Sequence, residues 1–299
     1  MIKQIMQDAL QNGYALGAFN FATLDILKAI IGASEQSGKP VIAAVSEGAL
    51  KFLEKDYLKA LIKTTKERPN NKVIFHLDHG KNFDICALAI DIGFDSVMID
   101  ASHLPFEQNV ELTKQVCDYA HAHGVWTEGE LGVLAGQEED VVAEKSIYTD
   151  PLQAKEFVQK TGVDMLAIAI GTSHGAYKFS GEAKLNLERL AQIESQIPIT
   201  PLVLHGASSV DEQHTQKFNQ FGGNLTGAKG VPGHILQFVC KNHHVCKINT
   251  DTDLRICFLA ALRESFSSNP QEIDIRKHLT HATEQTKQLI LQKISLFGQ

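Results

Sequence analysis

The chain has no C-x-x-C pair, and its five cysteines, Cys86, Cys117, Cys240, Cys246 and Cys257, are odd in number. That leaves no dithiol redox motif and no fully paired set of bridges, and it suits the reducing cytoplasm. Three of them, Cys86, Cys117 and Cys257, fall in amphipathic helical stretches and read as buried thiols. No apolar run approaches the roughly 20 residues of a membrane span, so no membrane partner is expected. The opening "MIKQIMQDALQNGY" reads as an amphipathic helix and lacks the apolar core of a signal peptide. Basic charge is also scarce: 28 Lys and Arg against 35 Asp and Glu give a net charge of −7, without a clustered basic stripe. Nucleic acid and anionic membranes are thereby disfavoured as partners, whereas a small anionic ligand held by a few local donors is not. Finally, no glycine-rich dinucleotide turn follows the first strand, and no low-complexity linker divides the chain.

What is present is a repeated alternation. With 43% hydrophobic and 21% charged residues, the 299-residue chain can build a sizeable core. Eight apolar, β-rich runs recur, at 15–21, 40–46, 72–80, 94–102, 125–132, 163–171, 201–208 and 245–251. The segments between them carry helical period; in "FEQNVELTKQVCDYAHAHG", Val110, Thr113, Val116, Cys117 and Ala120 share one face. Gly38, Gly93, Gly124 and Gly162 each stand where a helix should end before a strand. The pattern predicts a (β/α)8 TIM barrel, one domain over residues 1–299, with a helical extension from about residue 267. A doubly wound open sheet is the alternative.

Barrels place their chemistry at the C-terminal ends of the strands. Those ends carry Asn20, Ser46, Asp78 with His79, Asp100 with Ser102, and Glu130. The later ones carry His174, His205 with Ser208, and Asn249 with Asp251. The same rule sets aside His121 and His123 of "HAHG" and His243 and His244 of "NHH", which precede strands. His103 stands in a loop after a strand end, open to either reading. "GGNLTGAKGVPG" (222–233) lacks the G-K-[ST] ending of a P-loop and reads as a structured loop. His79, His174 and His205 then lie on three different strand ends, each beside glycine or small residues. Three converging imidazoles make a zinc site with an open coordination position. One tension remains: strand alternation puts Asp78 and His79 on opposite faces, so the chain is expected to curl over the rim at Gly80.

Taken in order, "AFNF", "HLDHG", "SVMIDASHLPF", "ELG…GQEED", "AIAIGTSHGAYKF", "PLVLHGAS" and "KINTDTDLR" resemble the class II, zinc-dependent fructose-bisphosphate aldolases over nearly the whole chain. The "NTDTDLR" ending and the long "GGNLTGAKGVP" loop resemble the fructose-bisphosphate branch more than the tagatose-bisphosphate branch, which remains the alternative. The resemblance implies zinc ligands at His79, His174 and His205, with Glu130 as an alternate or supporting ligand and Asp100 near a second metal position. It implies that Asp78 handles the proton of the substrate's C4 hydroxyl and that Glu138, in a mobile loop, protonates the enediolate. Gly175, Lys178, Gly206, Ser208, Asp251 and Thr252 would bind the phosphate of dihydroxyacetone phosphate, with a Na+ or K+ ion nearby. Asn249 would hold substrate hydroxyls, Asn20 and Ser46 would line the same pocket, and Arg276 would reach the other phosphate from a neighbouring subunit of a homo-dimer or tetramer. Two departures stand out, Ala44 in "AAVSEGA" and "WTEGELG" where "VEAELG" is usual; both are expected to bear on ketose preference.

The implied reaction is reversible cleavage of fructose 1,6-bisphosphate, a glycolytic step, to dihydroxyacetone phosphate and glyceraldehyde 3-phosphate. Zinc would take up the developing negative charge, and Asp78 and Glu138 would move the protons. Among rivals, an imine-forming aldolase needs a lysine at a strand end, where strand six ends in "IGTSHG". A zinc amidohydrolase wants H-x-H on the first strand, which reads "FNF". A catalytically silent metal-binding module would not need Asp78 and Glu138.

Overall fold

The computed structural model describes residues 2–134, 136–138, 141–143, 147–173 and 185–299, apart from the side chains of 136–138 and 141–143. The strands are β1 (Leu16–Asn20), β2 (Val41–Ser46), β3 (Val73–Gly80), β4 (Ser96–Ile99), β5 (Trp126–Leu131), β6 (Gly136–Glu138), β7 (Val141–Ala143), β8 (Met165–Ile168), β9 (Leu202–Leu204) and β10 (Val245–Thr250). The first helices are α1 (Ile2–Asn12), α2 (Leu24–Ser37), α3 (Glu47–Leu53), α4 (Lys55–Lys66), α5 (Phe83–Ile92) and α6 (Phe106–Ala122). They are followed by α7 (Pro151–Thr161), α8 (Leu187–Gln196), α9 (Glu212–Gln220), α10 (Gly233–Asn242), α11 (Thr252–Ser268) and α12 (Ile275–Leu296). Eight strands close a parallel barrel in the order β1-β2-β3-β4-β5-β8-β9-β10 and back to β1. Between β5 and α7, β6 and β7 form a separate antiparallel pair.

Local chemistry marks the helix ends. Thr23, Asn82 and Asp150 cap α2, α5 and α7 by accepting from backbone N–H groups of the first turn. Gly38, Gly93 and Gly162 leave the same helices in the left-handed region. For α6 the cap is His123, one residue before Gly124. All five cysteines are free and buried. No described helix is long and apolar enough to cross a membrane.

Pleating sorts the strand side chains into two sets. Phe19, Ala43, Val45, Phe75, Leu77, Val97 and Ile99 point outward and pack with the helices. Leu16, Ala18, Ile42, Ile74, Met98, Met165 and Ala167 point to the axis, where Ile2, Met6 and Ala9 of α1 join them and close the N-terminal end. Moving along these inward rows towards the other end, apolar residues give way to polar ones: Ala18 to Asn20, Ala44 to Ser46, Met98 to Asp100, and Ile74 to His76 and Asp78. The barrel is dry at one end and charged at the other. α12 lies against α2 and α11.

Candidate active site

Asp78 is the centre of the polar mouth. It is buried, and it accepts hydrogen bonds from Asn20 Nδ2 (2.7 Å) and Asn249 Nδ2 (2.8 Å). These amides come from the paired strands β1 and β10, so each carboxylate oxygen is held by a different strand. The next residue, His79, has φ of 50°, and the β3–β4 register shifts between Leu77 and Gly80. This is where the structure corrects the expected curl at Gly80: the turn is at His79 itself, and it brings two consecutive side chains to one site.

His79 Nδ1 lies 2.9 Å from Asp100 Oδ2 at the end of β4 and 3.8 Å from Glu130 Oε2 at the end of β5. A carboxylate only accepts, so Asp100 holds the proton on His79 Nδ1 and leaves Nε2 as the donor atom for a ligand. Asp100 is itself fixed by Ser102, whose backbone N–H (3.1 Å) and hydroxyl (2.7 Å) donate to Oδ1. Burial would raise the Asp100 carboxyl, but the hydrogen bonds from His79 and Ser102 hold it below the usual carboxylate range. The ring of His205, just past β9, meets the His79 ring edge-on with centroids 4.5 Å apart. Burial, and then the nearby His79, push the His205 imidazole down, which favours the neutral form able to bind a metal.

Two groups of side chains can each hold a metal ion: Asp78, His79 and His205, and His79, Asp100 and Glu130, with the ligand atoms of each group within 4.8 Å of one another. Imidazoles with carboxylates suit a divalent ion such as Zn2+. His174 lies outside the described residues, as do Gly175 and Lys178. Ser173, the residue before His174, packs against Gly206: a Cβ on Gly206 would come within 2.6 Å of the Ser173 carbonyl oxygen, and Gly206 has φ of 61°. Only glycine lets these two loops meet beside His205.

Around the rim, Ser46 caps α3 through a bond from Ala49 N (3.3 Å). Asp253 accepts from Ser209 N (3.0 Å) and Val210 N (2.6 Å), which ties the loop carrying Ser208 to the start of α11, where Asp251 and Thr252 sit. The loop 222–233 rests on the same segment, with Val231 N bonded to Ser208 O at 3.1 Å. Asp251 pairs with Arg255 (2.8 Å). The backbone of Glu138 ends β6; its side chain lies outside the description. Arg276 stands apart, at the start of α12, paired with Asp274 at 2.8 Å and with 86% of its side chain exposed. His121 and His123 are exposed at the opposite end, His243 pairs with Glu194 (3.0 Å), and His103 is an exposed loop residue.

Three residues escape a search confined to strand ends: His76, Glu128 and Lys247, all fully buried one inward step below Asp78, Glu130 and Asn249. Their signal was the same two-residue period. "WTEGELG" also reads differently in three dimensions. Gly129 faces outward, where a Cβ would meet Phe157 (2.9 Å) and Thr113 (3.2 Å), so it bears on helix packing rather than on the substrate.

The Fructose-bisphosphate aldolase class-II family model matches residues 1–299. A fructose-bisphosphate aldolase of Treponema pallidum is 43% identical over 310 residues, covering 97% of this chain and 93% of its own length. One from Helicobacter pylori is 43% identical over 298 residues, covering 99% and 96%. Among solved structures, the YdjI aldolase of Escherichia coli K12 superposes with a TM-score of 0.79 at 29% identity, covering 100% of this chain and 97% of that one. With a closed parallel barrel, a carboxylate–imidazole mouth and matches of this extent, the chain belongs to the class II fructose-bisphosphate aldolase family.

Proposed function

We propose that the protein cleaves fructose 1,6-bisphosphate reversibly to dihydroxyacetone phosphate and glyceraldehyde 3-phosphate, the whole chain acting as one cytoplasmic catalytic domain. The observation that carries this reading is the convergence of Asp78, His79 and His205 at the mouth of a barrel of this family. His79 and His205, together with His174, would hold Zn2+, with Glu130 and Asp100 beside them. The bound ion supplies a Lewis acid that offsets the negative charge developing as the C3–C4 bond breaks. Asp78 takes the C4 hydroxyl proton; its two amide partners keep it oriented while it is ionised. Glu138 returns a proton to the carbon left behind. Each placed proton transfer is worth on the order of 10²–10⁴-fold.

Gly206, Ser208, Asp251 and Thr252, with Gly175 and Lys178, would bind the first phosphate beside a Na+ or K+ ion, and Asn20, Ser46 and Asn249 would hold substrate hydroxyls. Arg276 would meet the second phosphate in a neighbouring copy of a homo-oligomer. Its exposure, and that of Ile273 and Ile275 beside it, supports that reading. The test is cleavage of fructose 1,6- and tagatose 1,6-bisphosphate, assayed separately with and without chelator. Fructose 1,6-bisphosphate should be preferred, chelation should abolish turnover and Zn2+ should restore it. Covalent trapping of the enzyme by borohydride with substrate would overturn the reading.

A further inference from the structure

Beneath the mouth lies a buried polar chain that the proposed mechanism does not use. Glu128 and Lys247 face each other across the barrel from β5 and β10, with Lys247 Nζ 2.7 Å from Glu128 Oε2 and both side chains fully inaccessible to solvent. Glu128 Oε1 lies 2.7 Å from His205 Nε2. On the other side, Lys247 Nζ is 3.2 Å from His76 Nε2, and His76 Nδ1 is 2.9 Å from Ser96 Oγ. Burying an ion pair is a poor way to stabilise a core, since apolar residues of similar volume often do as well or better. The pair's position points to another purpose.

Elementary donor–acceptor rules settle every proton along the chain. An ammonium only donates, so His76 accepts at Nε2 and carries its proton on Nδ1, towards Ser96. A carboxylate only accepts, so His205 must carry its proton on Nε2. That leaves the lone pair on His205 Nδ1, which faces the mouth 4.0 Å from Asp78 Oδ1. An independent contact agrees: the Asn249 amide that donates to Asp78 also lies 3.2 Å from His205 Nδ1, where it too needs an acceptor. The same device recurs at His79, whose Nδ1 faces Asp100. There the carboxylate is partly exposed at the rim, whereas Glu128 is sealed in the core with a lysine.

We propose that Glu128 and Lys247 are positioning residues for the metal site, locking His205 in its Nε2–H tautomer so that Nδ1 points at the ion; this rests on the reading of His205 as a metal ligand. Ligand imidazoles commonly have their second nitrogen held in this way, and loss of such a partner weakens metal binding by about 10–100-fold. Lysine adds a constraint. In Glu128→Gln, Lys247 can only donate, so the amide turns its carbonyl to Lys247 and its NH2 to His205. His205 must then accept at Nε2, and its proton moves to the nitrogen that should bind metal. Removing the lysine as well frees the amide to turn back.

The experiment measures Zn2+ dissociation constants by competition with a fluorescent chelator for wild type, Glu128→Gln, Glu128→Gln/Lys247→Met and His205→Ala, together with the thermal midpoints of the metal-free proteins. Glu128→Gln should bind Zn2+ about 10–100-fold more weakly, and the double variant should recover most of that loss. Histidine-selective 15N NMR of the metal-free wild type should show His205 protonated on Nε2. Wild-type Zn2+ affinity in Glu128→Gln, with only the thermal midpoint lowered, would make the pair structural and overturn the proposal. An Nδ1–H tautomer in the wild type would do the same, even if the variants fail to fold. If His205→Ala also keeps full affinity, the metal reading of His205 fails instead.

Discussion

Among the described residues two lysines are buried against carboxylates, and they do different things. Lys247–Glu128 lies on the barrel axis, between strands whose positions the closed sheet already determines. Lys293–Asp253 lies outside the barrel, at 2.6 Å, between α12 and the start of α11. Asp253 also receives the backbone N–H groups of Ser209 and Val210, and Val210 is held at φ of 51°, unusual for a β-branched residue. Where the sheet has settled the backbone, a buried pair is left to orient side chains. In the loop from β9 to α9, where no sheet does so, the same kind of pair decides the path of the backbone. The second pair thus belongs to the stability of the side of the mouth proposed to bind phosphate, and the first to the side proposed to bind metal.

The largest stability effect expected from this contrast is that of Lys293→Met. It leaves Asp253 buried without its cation, and such a change costs about 3–5 kcal/mol. Urea denaturation of the metal-free protein should read that loss, while the Zn2+ affinity of the folded fraction stays at the wild-type value. Weakened Zn2+ binding here would erase the distinction between the two pairs.

A third pair isolates burial from pairing. Arg276 bonds to Asp274 at 2.8 Å, as short as the buried contacts, yet the Arg276 side chain is exposed and solvent screens the pair. Arg276→Ala should leave the urea midpoint unchanged. If its guanidinium meets the second phosphate, kcat/KM for the bisphosphate should fall on the order of tenfold to a hundredfold. Proton exchange from dihydroxyacetone phosphate, which lacks that phosphate, should persist at the wild-type rate.

The smallest effect is one of pH. Burial raises the Asp253 carboxyl, but Lys293 and the backbone N–H groups outweigh it and hold the carboxyl below its ordinary 3.8. A depressed carboxyl contributes stability that is fully present above the unfolded value and is lost as pH falls through the folded one. Asp253→Asn should therefore be less stable than wild type at neutral pH, with the gap narrowing only below about pH 4. A constant gap down to the acid limit would show that the folded carboxyl is not held below its unfolded value.

Much of the site was legible because strands have a period of two and barrels bind at one end. Asn20, Asp78, Glu130, His205 and Asn249 all stand at strand ends, and the structure brings them together. The same period reaches one step deeper: "VIFHLDHG" places His76 on the same inward row as Asp78, and Lys247 and Glu128 follow by the same count from Asn249 and Glu130. The left-handed turn at His79 was not legible, because no glycine marks it and alternation argues against it. Strand lengths were overread where apolar runs continue past the paired residues: 163–171 contracts to Met165–Ile168 and 201–208 to Leu202–Leu204. Hydrophobicity reports burial there, and pairing stops where the loops begin to build the mouth.

Asp78 is the group proposed to take the C4 proton, beside the candidate metal ligands His79 and His205. Its most direct test is Asp78→Ala, assayed both for cleavage of fructose 1,6-bisphosphate and for tritium exchange from dihydroxyacetone phosphate, with Zn2+ content matched to wild type. Cleavage should fall by about 10²–10⁴-fold while exchange remains readily measurable. Equal loss of both activities at full Zn2+ occupancy, or cleavage at the wild-type rate, would contradict it.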